Sequence, residues 1–422
     1  LGTEAGAEVR GAAARLRAAG AALRSRPRAE VLAALGALLE RLRDPASEIR
    51  ARLAAELPPA TGFHASTVAA GLDAGFAPWT ARALHALVDA ELGTSPRRVA
   101  SGFPLTAVVL GGAIPMPTVL QLVAPLALGS PVLARPGSHD PVTARAVASE
   151  LGRIDARLGS CLEVVGFAHT DLGAMAALAE ADCVVATGSD AAVAAIAARV
   201  RPPQRFVGYG HRFSAAVIGR AGDLRAACAD LARDVALWDQ AGCLSPVALY
   251  AVGWRWEERG ALLGELASAF AERERRWPLG KISREDWAVR ADALATAELL
   301  TAAGGDAELR RDPAGKWALI AEREPAFRGS PLHRVLRIHF VRDAAELGTA
   351  LAPAARHLSC LGVAGLGDAA ETGPLLALRP SRICPLGEMQ APPISWCHDG
   401  QGVLTPLASF TDLELGLRGP AK

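Results

Sequence analysis

From Leu105 to Val252 the chain alternates short apolar runs with helical stretches, and this alternation restricts the fold more than any other feature. The runs "LTAVVLGG", "SPVLAR", "LEVVGF", "DCVVAT", "RFVGY", "FSAAVIG" and "PVALYAV" read as buried strands. Between them, "TVLQLVAPLAL", "VTARAVASEL", "DLGAMAALAEA", "AAVAAIAARV" and "DLRAACADLARDVAL" carry helical periodicity. Buried strands joined by helices of ~10–15 residues signal βαβ units and a mainly parallel sheet. Asp140 and Pro141 are expected as N-cap and first residue of the helix that follows the second strand.

The flanking regions read differently. Residues 1–95 are helical in pattern, with Val31, Leu32, Leu35, Leu38 and Leu39 recurring at helical spacing and Pro45, Pro58, Pro59 and Pro78 as punctuation. They are expected to form a helical layer packed on a sheet, with no chemistry of their own. After "PVALYAV" come a long charged helix from Trp256 to about Arg276, the strands "WALIAE" and "VLRIHFV", and the helix "DAAELGTALAP". The expected division is a helical layer at 1–95, a dinucleotide-binding α/β lobe at 96–238, a catalytic α/β lobe at 239–395, and a C-terminal return segment at 396–422.

Charge and cysteine content exclude several function classes. The 45 basic and 44 acidic residues are dispersed and leave a net charge of +1, so neither a nucleic-acid nor an anionic-membrane footprint is expected. Seven cysteines are scattered without a C-x-x-C, which argues against a disulfide framework and for a reduced, cytoplasmic protein. The nine histidines include no H-x-x-x-H, so no metal is expected. Val99 to Ala134 carries no charge, but Pro104, Pro115, Pro117, Pro125 and Pro131 interrupt it, whereas a spanning helix needs ~20 continuous apolar residues. Glu4, Glu8 and Arg10 near the start, without an apolar core, argue against a signal peptide.

Three stretches carry candidate chemistry. No G-x-G-x-x-G follows a strand, but "VVATGSDAAV" places Gly188 and Ser189 between a strand and a helix whose first amides suit an anionic group. A Ser or Asp cap after glycine is also common at any such turn, so the stretch alone leaves both readings open. "VLARPGSHD" ends a strand on Arg135, which faces either a ligand crevice or a neighbouring acid. Cys243 lies in a loop between Gly242 and Pro246, unlike Cys161, Cys183 and Cys228, which fall inside elements. Asp239 nearby would oppose thiolate formation, so activation must come from a histidine or from placed amides. Periodicity alone leaves Cys243 either a nucleophile or an inert small residue.

With these residues in hand, "WDQAGCLSPVALY" resembles the nucleophile segment of the luminescence-type (LuxC) bacterial acyl-CoA reductases, a branch of the aldehyde dehydrogenase superfamily. The D-Q-x-x-C-x-S-P core carries most of the resemblance. "VVLGGAIPMP" is similar to the family's first strand and the loop that meets the reacting carbonyl; "VLARPGSHDP" to the strand end near the adenosine ribose; "ADCVVATGSD" to the Gly-Ser turn over the cofactor. "GYGHRFSAAVI" and "LGEMQAPPISWCHDG" resemble the segment before the catalytic lobe and the closing region. The resemblance covers about residues 95–415.

It implies an aldehyde-dehydrogenase-like α/β fold: two doubly wound lobes with the active site at their junction and a helical N-terminal layer. It also implies NADPH- or NADH-dependent reduction of an acyl-CoA or acyl-carrier-protein thioester to an aldehyde through a thioester on Cys243. His211 is then the candidate acid/base or activating group, with loop anchoring as its other reading. Arg135, Pro136, Gly137, Thr187, Gly188, Ser189 and Glu388 would hold the cofactor, and Gly112, Ala113, Ile114 and Pro115 would form the oxyanion loop. A homo-oligomer without a membrane span is implied too. Two positions depart from the pattern. Ala113 stands where many relatives have asparagine, removing a side-chain donor whose loss typically costs ~10²–10³ in rate where it is used. Arg135 replaces a frequent lysine and suits a 2′-phosphate, which favours NADPH. Aldehyde oxidation, or acyl handover by a degenerate fold, are the alternative activities.

Overall fold

The computed structural model describes residues 4–93, 97–304, 306–367 and 369–414. The chain forms two compact units: Leu1–Glu56 with Phe76–Gly210 and Pro393–Lys422, and Leu57–Gly75 with His211–Pro392.

Five helices come first: α1 (Glu4–Ser25), α2 (Arg28–Arg43), α3 (Glu48–Thr61), α4 (Ala65–Phe76) and α5 (Ala81–Leu92). Pro27 and the Asp44-Pro45 turn separate the first three, and Gly62, at φ 84°, ends α3. Pro58 and Pro59, expected as breaks, lie inside the last part of α3, where each removes one i→i−4 hydrogen bond without ending the helix. The end of α3 and most of α4 belong to the second unit, so the first 95 residues are not one layer.

In the first unit a five-stranded parallel sheet has the order β4-β3-β2-β5-β6. Its strands are β2 (Thr106–Val109), β3 (Val132–Arg135), β4 (Leu162–Val164), β5 (Cys183–Thr187) and β6 (Arg205–Tyr209). The connecting helices are α6 (Pro115–Ala127), α7 (Thr143–Ile154), the short α8 (Ala156–Gly159), α9 (Leu172–Leu178) and α10 (Asp190–Ala197). β2 is buried at every position because helices cover both faces, which is why it reads as a continuous apolar run. Val9 and Leu16 of α1 join Leu105, Val109, Leu133 and Val184 in one core, so the N-terminal helix does cover this sheet. The helix expected to be capped by Asp140 and to begin at Pro141 begins at Thr143 with Val142 as its N-cap; Asp140 accepts from the amides of Val142 (3.1 Å) and Thr143 (2.9 Å) in the turn before it. β1 (Arg98–Gly102) pairs antiparallel with β14 (Ala408–Asp412), which ties the C-terminal segment into this unit.

The second unit holds a seven-stranded sheet in the order β13-β12-β7-β8-β11-β10-β9. These are β7 (Phe213–Ile218), β8 (Pro246–Val252), β9 (Ala307–Arg311), β10 (Ala318–Glu322), β11 (Val335–Val341), β12 (Leu358–Ala364) and β13 (Arg382–Pro385). All neighbours are parallel except the edge strand β9. α11 (Leu224–Ala236) joins β7 to β8; α12 (Arg259–Arg276) and α13 (Arg284–Ala302) precede β9; α14 (Ala344–Leu351) and α15 (Ala369–Ala377) follow β11 and β12. Phe213, Val217, Val247, Tyr250, Leu347 and Leu361 centre the core. β7 and α11, expected in the cofactor lobe, therefore belong to the sheet that carries the cysteine loop.

Among the described residues no helix is long and apolar enough to cross a membrane, and no group of three or more His, Cys, Asp or Glu is placed to hold a metal ion.

Candidate active site

In the first sheet the strand order reverses between β2 and β5, because β2 leads outward to β3 and β4 while β5 leads to β6 on the other side. Ligands of open α/β sheets bind outside the carboxyl ends of the strands at such a point. Two predicted loops meet here. A Cβ on Gly111 would lie 2.4 Å from the Thr187 carbonyl oxygen, so only glycine permits the approach. Gly112 follows at φ 82°. Gly188 donates its amide to the Tyr209 carbonyl (3.1 Å), Thr187 Oγ1 accepts from Gln121 Nε2 (2.6 Å), and Ser189 caps α10 through Ala192 (3.3 Å). Gly137 closes the set, its ideal Cβ 3.2 Å from the Leu110 carbonyl oxygen. These glycines let the loops after β2, β3 and β5 pack backbone to backbone at this point.

Arg135 ends β3 and stacks on Phe167, its Cζ 5.3 Å from the ring centroid, and donates to the Phe167 carbonyl. Its Nε is buried without a hydrogen-bond partner, and burial lowers its pKa. The acid partner that a purely structural arginine would have is replaced by an aromatic face, leaving the guanidinium available to an anion. The Gly112–Pro115 loop, expected to hold the oxyanion, supplies few donors: Ala113 has none in its side chain, and Pro115 and Pro117 remove two of the first amides of α6.

The second unit positions the thiol. Cys243 sits in the turn between α11 and β8 and is partly exposed, whereas Cys161, Cys183, Cys228, Cys360 and Cys384 are buried. Burial pushes Cys183 and Cys228 up to about 12, which leaves them protonated and inert. The Cys243 carbonyl accepts a 2.6 Å bond from the Ser214 hydroxyl, whose Oγ in turn accepts from the Cys360 amide (3.1 Å). One hydroxyl on β7 thus ties the cysteine loop to β12.

Just upstream, Trp238, Asp239 and Gln240 are all left-handed (φ 57°, 48° and 64°) without a glycine among them. Left-handed L-residues cost roughly 1–2 kcal/mol each, so surrounding contacts must hold them. Trp238 is buried against Phe63 at 5.5 Å between ring centroids. Gln240 Nε2 donates to the carbonyls of Pro246 (3.0 Å) and Val335 (3.1 Å). Asp239 accepts from Arg334 Nε (2.8 Å) and from the Gly280 amide (3.0 Å). Arg334 also binds Glu274 and the carbonyls of Trp277 and Ala236. The aspartate that sequence distance set against the thiol is therefore an anchor whose charge Arg334 neutralises.

His211 precedes β7, and its carbonyl accepts from His357 Nδ1 at 3.3 Å; the two rings lie 6.4 Å apart. Glu388 is exposed between the buried residues Gly387 and Met389, in a turn whose carbonyls at 388 and 389 accept from Arg382. That leaves the carboxylate held outward.

These features can be set beside known proteins. The acyl-CoA reductase (LuxC) family matches residues 29–410. The chain belongs to that family. Among curated LuxC-like relatives, a long-chain acyl-protein thioester reductase of Aliivibrio fischeri is 25% identical over 244 residues, 57% of this chain and 49% of that protein. The chain spans about half the length of the curated relatives it matches. Solved structures of aldehyde dehydrogenases share the fold. A benzaldehyde dehydrogenase of Corynebacterium glutamicum superposes with a TM-score of 0.76 at 12% identity, covering 96% of this chain and 88% of the other. An indole-3-acetaldehyde dehydrogenase of P. syringae, solved with NAD+, gives a TM-score of 0.74 at 16% identity, covering 97% and 89%. This LuxC family member thus has the aldehyde-dehydrogenase-like α/β fold.

Several residues of the site escaped sequence reasoning. Ser214, Gln121 and Arg334 carry no local signal, because their partners lie 29 to 95 residues away or more. Gln240 was visible as part of D-Q-x-x-C, without its role. In the first unit, His398 stacks on Tyr209 (4.7 Å between ring centroids) and lies tilted against Trp396 (4.8 Å). Burial pushes Tyr209 up to about 12, so its phenol stays protonated beside the Gly188 turn.

Proposed function

We propose that the chain reduces an acyl thioester to an aldehyde, with NADPH preferred over NADH, through a thioester on Cys243. The observation that carries this reading is the cysteine loop: a partly exposed thiol whose own carbonyl is fixed by Ser214, behind three left-handed residues locked by Arg334 and Gln240. A structural cysteine needs no such support.

In the proposed sequence the Cys243 thiolate attacks the acyl carbon and forms the new C–S bond. The carrier C–S bond breaks, and the carrier thiolate leaves and takes up a proton, for which His211 is the candidate donor. The oxyanion is held by backbone amides of the Cys243 loop. A reduced nicotinamide, when bound, supplies hydride to the acyl carbon. Collapse of the resulting thiohemiacetal releases the aldehyde and returns the thiol.

Arg135, Pro136, Gly137, Thr187, Gly188 and Ser189 are assigned to the dinucleotide and Glu388 to the nicotinamide ribose. The orphan Nε of Arg135 supports NADPH, since a 2′-phosphate would satisfy it. The acyl donor is a CoA or carrier-protein thioester: the family is one of acyl-CoA reductases, while the curated relatives are named for acyl-protein thioesters.

Ala113 supports a second reading, acyl handover without reduction. Incubation with acyl-CoA or acyl-carrier protein and NADPH or NADH, with the aldehyde trapped as a hydrazone, separates the two. Aldehyde equal to NAD(P)H consumed is the expected result. An acyl adduct on Cys243 without aldehyde under either nucleotide would establish handover instead.

A further inference from the structure

Asp234 opens the stretch that ends in Cys243, yet nothing in the proposed reaction uses it. It is fully buried on α11. Its Oδ2 accepts a 2.6 Å bond from the Gly387 amide, and its Oδ1 is buried without a hydrogen-bond partner. Its backbone carbonyl accepts from Gln390 Nε2 (3.4 Å), which also donates to Ser245 Oγ (3.2 Å), two residues after the cysteine. The 387–390 turn is thus gripped from two sides. Arg382 takes its carbonyls at 388 and 389, and the Asp234 carboxylate takes an amide at its start. Gly387, at φ 85°, could not carry a side chain, because its Cβ would meet Asp230 Oδ1 at 2.9 Å.

From this geometry we infer that Asp234 is a positioning residue: its carboxylate holds the turn that presents Glu388, and the Gln390–Ser245 link couples that turn to the Cys243 loop. The assignment of roles to Glu388 and Cys243 rests on the proposed function; the clamp itself does not.

The charge state of Asp234 gives the clamp a recognisable signature. Burial pushes its pKa up to about 7, while the Gly387 and Met389 amides and Arg233 oppose the shift. The groups facing it are Asp230 and Arg233 from α11, Cys360 from β12 and Cys384 from β13. Above about pH 7 the anion grips Gly387; below it a neutral acid accepts more weakly, since charge-assisted hydrogen bonds are about twice as strong.

Hydrogen exchange of the 387–390 amides, corrected for intrinsic rate and followed from pH 5.5 to 8.5 on the full chain, reads this directly. Protection in the unsubstituted protein is expected to rise about five- to tenfold across pH 7, and in Asp234→Asn to stay flat at the lower value. With acyl-CoA and NADPH, the same variant should raise the KM for NADPH about tenfold at pH 8 and change kcat less than threefold. A flat exchange profile in the unsubstituted protein would overturn the inference, and that measurement needs no variant to fold. Identical pH dependence in both proteins would overturn it equally. A pH-dependent clamp in a protein that binds no nucleotide would leave the inference standing and sink the proposed function.

Discussion

Asp239 lies four residues before the thiol, and sequence distance alone sets its charge against thiolate formation. The structure spends that charge elsewhere, on Arg334 95 positions downstream, so activation of Cys243 is not opposed from there. No reading of residues 234–252 could supply that partner. Arg135 is the converse: its place at a strand end was legible, but the lack of an acid beside it was not, because the replacement, Phe167, comes from the loop after β4. A guanidinium with no carboxylate partner suits a phosphate better than a hydroxyl pair. Arg135→Ala should therefore weaken NADPH about tenfold in a fluorescence titration and NADH less than threefold. Equal losses for both nucleotides would place the arginine on the shared part of the cofactor.

At the scale of elements, buried strands were legible because parallel strands covered on both faces leave uninterrupted apolar runs, as β2, β5, β7 and β8 do. β9 was not: it is a half-exposed edge strand of sequence "AELRR". α13 was hidden too, since Trp287, Val289 and Leu299 are exposed and blur any apolar face. The left-handed run Trp238–Gln240 contains no glycine, so tertiary contacts impose what local sequence would not predict. One of those contacts is testable. Gly71 in α4 lies against Trp238, and a Cβ there would fall 2.3 Å from Trp238 Cζ2. Replacing glycine by alanine within a helix ordinarily stabilises by up to ~1 kcal/mol. Here overpacking should reverse the sign, and Gly71→Ala is expected to cost about 1–3 kcal/mol by urea unfolding. An unchanged or higher midpoint would mean that Trp238 yields freely.

For the molecule as a whole, the α/β class and the order of the motifs were readable, but the division of the chain was not. The expected boundary at residue 238 follows the motif, whereas the contact boundary lies at Gly210 and His211. The second unit also takes Leu57–Gly75 from the N-terminal region, a crossing unmarked by composition because one helix, α3, runs through it. That segment brings Phe63 and Gly71 to Trp238, so the second unit is incomplete without it. A fragment of residues 211–392 should show no cooperative thermal transition in near-ultraviolet circular dichroism, and fusing residues 57–75 to it should restore one. A cooperative transition in the bare fragment would show the borrowed segment to be dispensable.

The central claim is that Cys243 carries the acyl group on the way to aldehyde, and intact-mass analysis of a single turnover tests it most directly. With acyl-CoA alone, the protein should gain the mass of one acyl group, mapped to Cys243 and absent from Cys243→Ala. On adding NADPH that mass should vanish as one equivalent of aldehyde appears. NADPH-dependent formation of aldehyde by Cys243→Ala, or an adduct on another cysteine that turns over with NADPH, would contradict the account.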